Sequence, residues 1–231
     1  GANSLLSCIY TGLMMARGIM NYTDSLEKSV DDIPSTVFDD TRSHWQNRFN
    51  DIKKMKGSEN PYQLHQDLGD IMLANVLIVR DNKSLEKAWH AISDIETRFK
   101  DVKCLDTNDW SNPTPSFINQ LYCMIHLSKI ITKGALMRDE FRGSHYKPAF
   151  DMNQPKDFDP HEYINYLEQK QYGEMPEGKF PHEHLDYMKR FEENNKKWLK
   201  TTIAQYKDNE PEITYEEIDT SLVTPRPRKY D

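Results

Sequence analysis

The sequence has little glycine, 9 residues in 231, and no two of them are spaced for G-x-G-x-x-G or a P-loop. It therefore carries no dinucleotide-binding or phosphate-cradling fingerprint of its own. Cysteine is rarer still. Cys8, Cys104 and Cys123 are odd in number, far apart and outside any C-x-x-C. That fits a reducing compartment, with Cys8 and Cys123 expected as small core residues. No apolar run approaches the roughly 20 residues of a membrane span. Residues 5–20 are apolar but lack the basic leader and cleavage site of a signal peptide. Clustered cations are missing too. The formal net charge is -7, which argues against a nucleic-acid partner.

What is present is helical periodicity. The stretch from Phe117 to Phe150 organises the chain. Phe117, Leu121, Met124, Ile125, Leu127, Ile131 and Leu136 recur at three- and four-residue intervals and predict one broad apolar helix face. A polar turn follows, from Arg138 to Tyr146. Its residue types favour capping, with Arg138 and Arg142 near the negative helix end and Gly143 closing the helix. A loop held on a rigid helix end can also form a docking or active-site wall.

In chain order, Asn3 or Ser4 is a good N-cap for a helix over Leu5–Met20, apolar on nearly all sides and so expected to be buried in something larger. Residues 23–34 read as loop. A helix from Ser35 is expected to end at Gly57, and Pro61 suits a first helical turn. Helices follow over Tyr62–Val79, from Ser84 with Leu85, Trp89, Ile92, Ile95 and Phe99 inward, and then the organising helix. Short connections make these three an antiparallel bundle. Residues 147–197 read as an irregular insertion with short helices near His161–Gln169 and Pro181–Lys196. Trp198–Tyr206 and Glu212–Ile218 alternate apolar and polar about a turn at Asp208–Pro211, which predicts a β-hairpin. An extended tail carries Arg226, Arg228 and Lys229. The fold class is thus mainly α: an antiparallel bundle of three long helices, an irregular insertion, and a small C-terminal β-hairpin. The implied divisions are 1–22, 23–60, 61–146, 147–197 and 198–231.

Chemistry-bearing clusters are weak. His182, Glu183 and His184 diverge if helical and lack a third ligand, so a solvated loop is expected there and no metal. Cys123 and His126 share a helix face, where an apolar core outweighs a Cys–His nucleophile. The residues alone give no self-contained catalytic site.

Several segments add a resemblance. GANSLLS at Gly1–Ser7 resembles the stretch after the substrate arginine in succinate dehydrogenase and fumarate reductase flavoproteins. LHQDLGDIMLANVLIVRDNKSLEKA at Leu64–Ala88 and GALMRDEFRGSHYKPAF at Gly134–Phe150 resemble that family's helical domain. Phe141 stands where the family has Ser, and Ser144 where it has Ala. WLKTTIAQY and the tail YEEIDTSLVTPRPRKYD are similar to the endings of Gram-positive-type members.

The resemblance implies the C-terminal part of a flavoprotein subunit. The FAD-binding domain, the capping domain and the catalytic arginine and histidine would precede Gly1, leaving no catalytic residue in this chain. Asn3, Ser4 and Leu5 match positions facing the flavin, where a helix N-terminus stabilises negative charge. FAD is implied for the intact subunit and not for this chain alone. The implied partners are the FAD-binding domain of the same subunit, an iron–sulfur subunit and a membrane anchor. The implied location is peripheral, on the cytoplasmic face of the cell membrane. Residues 5–20, without their cover, are expected to self-associate or to shift against the bundle. L-aspartate oxidase, a soluble fumarate reductase and a free-standing helical interaction module are the alternatives.

Overall fold

Two of the three helices of the central bundle open on side-chain caps. The computed structural model describes residues 3–173, 178–208 and 210–228, with the side chain of Asn3 left aside. The Asn60 side chain accepts from the Tyr62 N–H and Pro61 fills the first turn, which opens α3, Pro61–Asn75. Asp81 accepts from the Ser84 N–H and opens α4, Asn82–Phe99. α5 is the organising helix and spans Thr114–Met137, with Pro115 in its first turn.

These three helices pack on one another. Their buried residues keep helical spacing: Leu64 and Leu68 in α3, Leu85, Ala88, Ile92 and Ile95 in α4, and Ile118, Leu121 and Ile125 in α5. The helix expected over Tyr62–Val79 stops at Asn75, and Val79 instead bridges to Tyr146.

The phase of α5 differs from the expectation. Leu121 and Ile125 are buried, but Met124, Leu127 and Ile131 are exposed. Ser128, Lys129, Thr132 and Ala135 take the inward positions. α5 is apolar on most sides, so periodicity alone does not choose its buried face. Partners for the polar groups do. Lys129 Nζ donates to Glu96 Oε2 at 2.8 Å and to Glu210 Oε1 at 3.1 Å, and lies over the Trp89 ring. Burial alone would push the Lys129 pKa down. The two carboxylates outweigh it and hold the ammonium above its ordinary value.

Residues 54–60 do not continue a helix to Gly57. α2, Ser35–Lys53, ends before it, and Lys56 and Glu59 bridge to Lys103 and Val102. Arg98 fastens this clamp. It donates to both Glu59 oxygens at 2.8 and 3.0 Å and to Asp67 at 3.1 Å. Gly57 sits where a Cβ would overlap the backbone carbonyl of Asp101.

The insertion is more regular than expected. α6 spans Pro160–Gln171 behind a capping box made by Asp159 and Glu162. α7 spans His182–Trp198. With Phe158 they enclose a second core of Tyr163, Tyr166, Leu185, Tyr187, Met188 and Phe191. Aromatic edges dominate it: Phe158 meets Tyr187 at 4.9 Å and Tyr163 meets Phe191 at 5.0 Å between ring centroids.

The hairpin pairs β1, Lys200–Lys207, with β2, Glu210–Glu217, from Lys200↔Glu217 to Lys207↔Glu210. Pro211 lies within β2 opposite Tyr206, so the turn is tighter than expected; its Asn209 lies outside the described residues. A lone hairpin is marginal in water. Here it packs on α5. Lys129 holds Glu210, His126 Nδ1 meets the Tyr206 hydroxyl at 2.8 Å, and the Tyr215 hydroxyl donates to the Met137 carbonyl at 3.3 Å.

Residues Gly1–Asp51 form a separate compact unit from Ile52–Asp231. In the first unit α1 runs Asn3–Asp24, a short 3-10 turn covers Val30–Asp32, and α2 begins at Ser35 and reaches Lys53. The expected loop over 23–34 is therefore partly helical. The apolar residues of α1, Leu5 to Met20, are exposed rather than buried, as is Cys8. Cys123 is exposed as well, and Cys104 is the buried thiol. Both small-core expectations for Cys8 and Cys123 thus fail, because each sits on an outward helix face.

Gly57→Ala is expected to destabilise Ile52–Asp231 by roughly 1–3 kcal/mol, the usual cost of overpacking against an unyielding neighbour. Urea unfolding followed by far-UV circular dichroism measures it, and an unchanged midpoint would refute the clamp geometry.

Candidate functional site

The turn after α5 is built around a carboxylate. Glu140 is fully buried and sits between two guanidinium groups. Arg138 Nε donates to Oε1 at 2.6 Å, and Arg142 Nε donates to Oε2 at 2.9 Å. Asn194 of α7 adds a third donor at 3.1 Å. Both arginines also reach outward. Arg138 donates to the carbonyls of Trp198 and Lys200 and to the Thr202 hydroxyl. Arg142 Nη2 donates to Asn195 Oδ1 at 2.8 Å. One acid thus joins the end of α5, α7 and β1.

Gly143 does take the left-handed conformation, φ 57°, but it does not close α5. The helix ends at Met137 with Arg138 as its C-cap. Gly143 turns the chain so that Arg142 and His145 exchange backbone hydrogen bonds at 3.0 and 3.1 Å.

His145 has its tautomer fixed by its neighbours. Arg80 Nη1 lies 2.7 Å from Nδ1, and a guanidinium only donates, so Nδ1 accepts. Nε2 then carries the proton and donates to the Arg138 carbonyl at 2.8 Å. Burial, reinforced by the Arg80 and Lys147 charges, holds the imidazole pKa below its ordinary value. Lys147 is fully buried, with Asp139 Oδ1 at 3.0 Å and the Leu136 carbonyl at 3.2 Å. There burial prevails over Asp139 and lowers the ammonium pKa, the reverse of Lys129.

Ile78 faces this turn with φ 53°. A β-branched residue in that region costs roughly 1–3 kcal/mol. Neighbouring bonds hold it: Leu77 N–H to the Met72 carbonyl and Arg80 N–H to the Tyr146 carbonyl. Between Ile78 and the turn lies an open cleft of about 600 Å³. A second cleft of about 310 Å³ opens on the other side of Phe141, toward α7 and Arg228.

The residues predicted to face a flavin are elsewhere. Asn3, Ser4 and Leu5 form the first turn of α1, in the other compact unit. Ser4 is inside the helix rather than its cap. Ser4 and Leu5 are exposed, and no acidic residue occupies that turn.

The three-residue His182–His184 motif is not a solvated loop. It opens α7, and His184 is buried between Glu162 Oε2 at 2.9 Å and Asp157 Oδ1 at 3.2 Å. Its pKa is raised, first by Glu162 and then by Asp157, against burial. The signal that was available is Asp157 and Glu162 about 25 residues upstream, which spacing does not link to it. Among the described residues no cluster of His, Cys, Asp and Glu could hold a metal ion. His126 meets Tyr206 rather than activating Cys123.

The half-buried His145 and the buried His184 should tilt stability in opposite directions. In the unfolded chain both titrate near about 6.5. His145, with a lowered folded pKa, contributes fully above that value, and its contribution falls as pH drops through 6.5 toward the folded pKa. His184, with a raised folded pKa, contributes fully below the unfolded value and loses its contribution as pH rises through the folded one. Thermal midpoints against pH should flatten on the acid side in His145→Gln and on the alkaline side in His184→Gln. Imidazole NMR midpoints on the same side of 6.5 would contradict both assignments.

Comparison with known proteins places this architecture. The model of the fumarate reductase flavoprotein C-terminal family matches residues 65–230. The chain is 36% identical over its whole length to the succinate dehydrogenase flavoprotein subunit of Bacillus subtilis strain 168, of which it covers 33%. It is 26% identical over 167 residues to the fumarate reductase flavoprotein subunit of Helicobacter pylori strain J99, covering 71% of this chain and 18% of that one. The chain thus spans about a third or less of these relatives. Among solved structures, a quinol fumarate reductase of E. coli superposes with a TM-score of 0.58 at 16% identity over 85% of this chain and 27% of its own, which shows a shared fold. With the family model covering residues 65–230, the chain belongs to the succinate dehydrogenase and fumarate reductase flavoprotein family as its C-terminal helical domain.

Proposed function

We propose that this chain is the helical scaffold of a succinate dehydrogenase flavoprotein subunit, which oxidises succinate to fumarate and passes electrons to an iron–sulfur subunit and a membrane quinone. The observation that carries the reading is the end-to-end identity with the Bacillus subtilis subunit. The physical argument agrees. The best-connected polar group, Glu140, is sealed between arginines and does structural work. The outward apolar faces of α5 and α1 are surfaces that a larger body would cover.

In this reading residues 1–22 belong with the flavin domain, 23–60 connects, 61–146 is the bundle, 147–197 the insertion, and 198–231 the hairpin and tail. FAD, bound by the rest of the subunit, supplies the hydride acceptor. What this chain adds is the first turn of α1. Its unpaired backbone N–H groups at Asn3, Ser4 and Leu5 stabilise negative charge placed before them, and the lack of an acid in that turn fits the role. Among the described residues no helix is long and apolar enough to cross a membrane. Attachment at the cytoplasmic membrane face therefore runs through partner subunits in this proposal.

The test compares the full-length parent subunit with the 231-residue chain. The parent should show a flavin absorbance band and succinate-dependent dye reduction, and the chain alone neither. Flavin binding or succinate oxidation by the chain alone would sink the reading. In the parent, Ser4→Asp should disfavour the reduced flavin by about 0.3–1 kcal/mol through the helix end. Potentiometric titration of the flavin reads it. Co-purification with an iron–sulfur subunit separates this function from that of a soluble oxidase.

A further inference from the structure

The cleft between Ile78 and the Arg142–His145 turn contains a cation that no carboxylate pairs, although Asp151 is among its lining residues. Arg80 is half-buried there. Its Nε donates to the Val76 carbonyl at 2.7 Å and its Nη1 to His145 Nδ1 at 2.7 Å. His145 is neutral in that arrangement and cannot balance the charge. Among the described residues no carboxylate pairs with Arg80, and the one cause acting on its pKa is burial, which lowers it. Among the described residues Arg80 Nη2 has no hydrogen-bond acceptor, and Arg80 lines the open cleft. Every other buried cation described above, Lys129, Arg138 and Lys147, has its carboxylate within 3.1 Å. A desolvated guanidinium left with a free edge is costly unless something negative visits it.

The rest of the wall is apolar. Leu77 and Ile78 form one side, 49% and 74% exposed. Phe141 and Tyr146 form the other, with ring centroids 4.8 Å apart. Ser144 and Asp151 complete the lining. Asp151 Oδ1 accepts from the Asn153 N–H at 2.9 Å and makes no ion pair with Arg80. The volume, about 600 Å³, lies in the range of small-molecule sites, which combine apolar walls with a few converging polar groups. The strained Ile78 backbone keeps its apolar side chain at the mouth instead of in the core.

We propose that this cleft binds a small organic monocarboxylate, its carboxylate on Arg80 Nη2 and its apolar body between Ile78 and Phe141. Arg80 offers one positive charge, and the Asp151 carboxylate in the lining disfavours a second carboxylate on the ligand. A short dicarboxylate, which also lacks the apolar body, should bind less well. The inference does not depend on the proposed dehydrogenase role.

The test uses the 231-residue chain, labelled for NMR, with phenylacetate as probe and phenylacetamide as its neutral twin. Phenylacetate should saturably shift the Arg80 Nε–H and the Ile78 methyl signals, and phenylacetamide and succinate should bind at least tenfold more weakly. Arg80→Gln should abolish the preference for the acid. Because Arg80 also holds Val76 and His145, Ser144→Glu provides an independent variant. It leaves those bonds alone, sets a carboxylate at the mouth, and should block the probe with the thermal midpoint unchanged. No saturable shift, equal binding of acid and amide, or undiminished binding in Ser144→Glu overturns the site. So does binding of the peptide acetyl-Leu-Glu-Leu-amide without binding of phenylacetate, which would assign the cleft to a protein partner.

Discussion

Glu140 is the constraint on which the second unit depends. A carboxylate with no solvent exposure needs full compensation, and three donors provide it, two from the turn after α5 and one from α7. Arg138 carries that compensation on to the first residues of β1 and to the end of α7. Arg142 carries it to Asn195. The bundle, the insertion and the hairpin therefore share one electrostatic junction. Their apolar cores are separate, one among α3, α4 and α5 and one among α6, α7 and Phe158. What fixes the two cores in register is polar.

Charge placement elsewhere follows the same logic with different outcomes. Lys129 and Lys147 are both buried, but Lys129 faces two carboxylates and Lys147 one, and their pKa values move in opposite directions. His184 and His145 repeat the contrast, one held between two acids and the other against an arginine. Burial sets the size of each penalty, and the count of opposite charges within reach sets its sign.

Much of the fold was legible in the sequence. Asn60-Pro61 marks a helix start by local chemistry alone, and Leu85, Ile92 and Ile95 fall inward as their spacing requires. The alternation through β1 and β2 is likewise local. α5 was misphased because Met124, Leu127 and Ile131 are as apolar as the residues that are buried, while the deciding partner of Lys129, Glu210, lies 81 residues away. His184 was missed for a related reason, since its carboxylates arrive on other segments. Of the site, the Arg138–Tyr146 turn stood out by composition. The unpaired state of Arg80 did not, because sequence shows which charges exist and not which of them meet.

The two ends of the insertion also have a consequence. Its entry, Lys147, binds Asp139 and the Leu136 carbonyl, and its exit, Trp198, gives its carbonyl to Arg138. Both ends are tied to the same few residues at the foot of α5. A segment that leaves and returns at one place closes its loop at little extra entropic cost, whatever its length. It also has its own aromatic core, separate from that of the bundle. A change of length in the middle of such a segment would leave its points of departure and return at the foot of α5 in place.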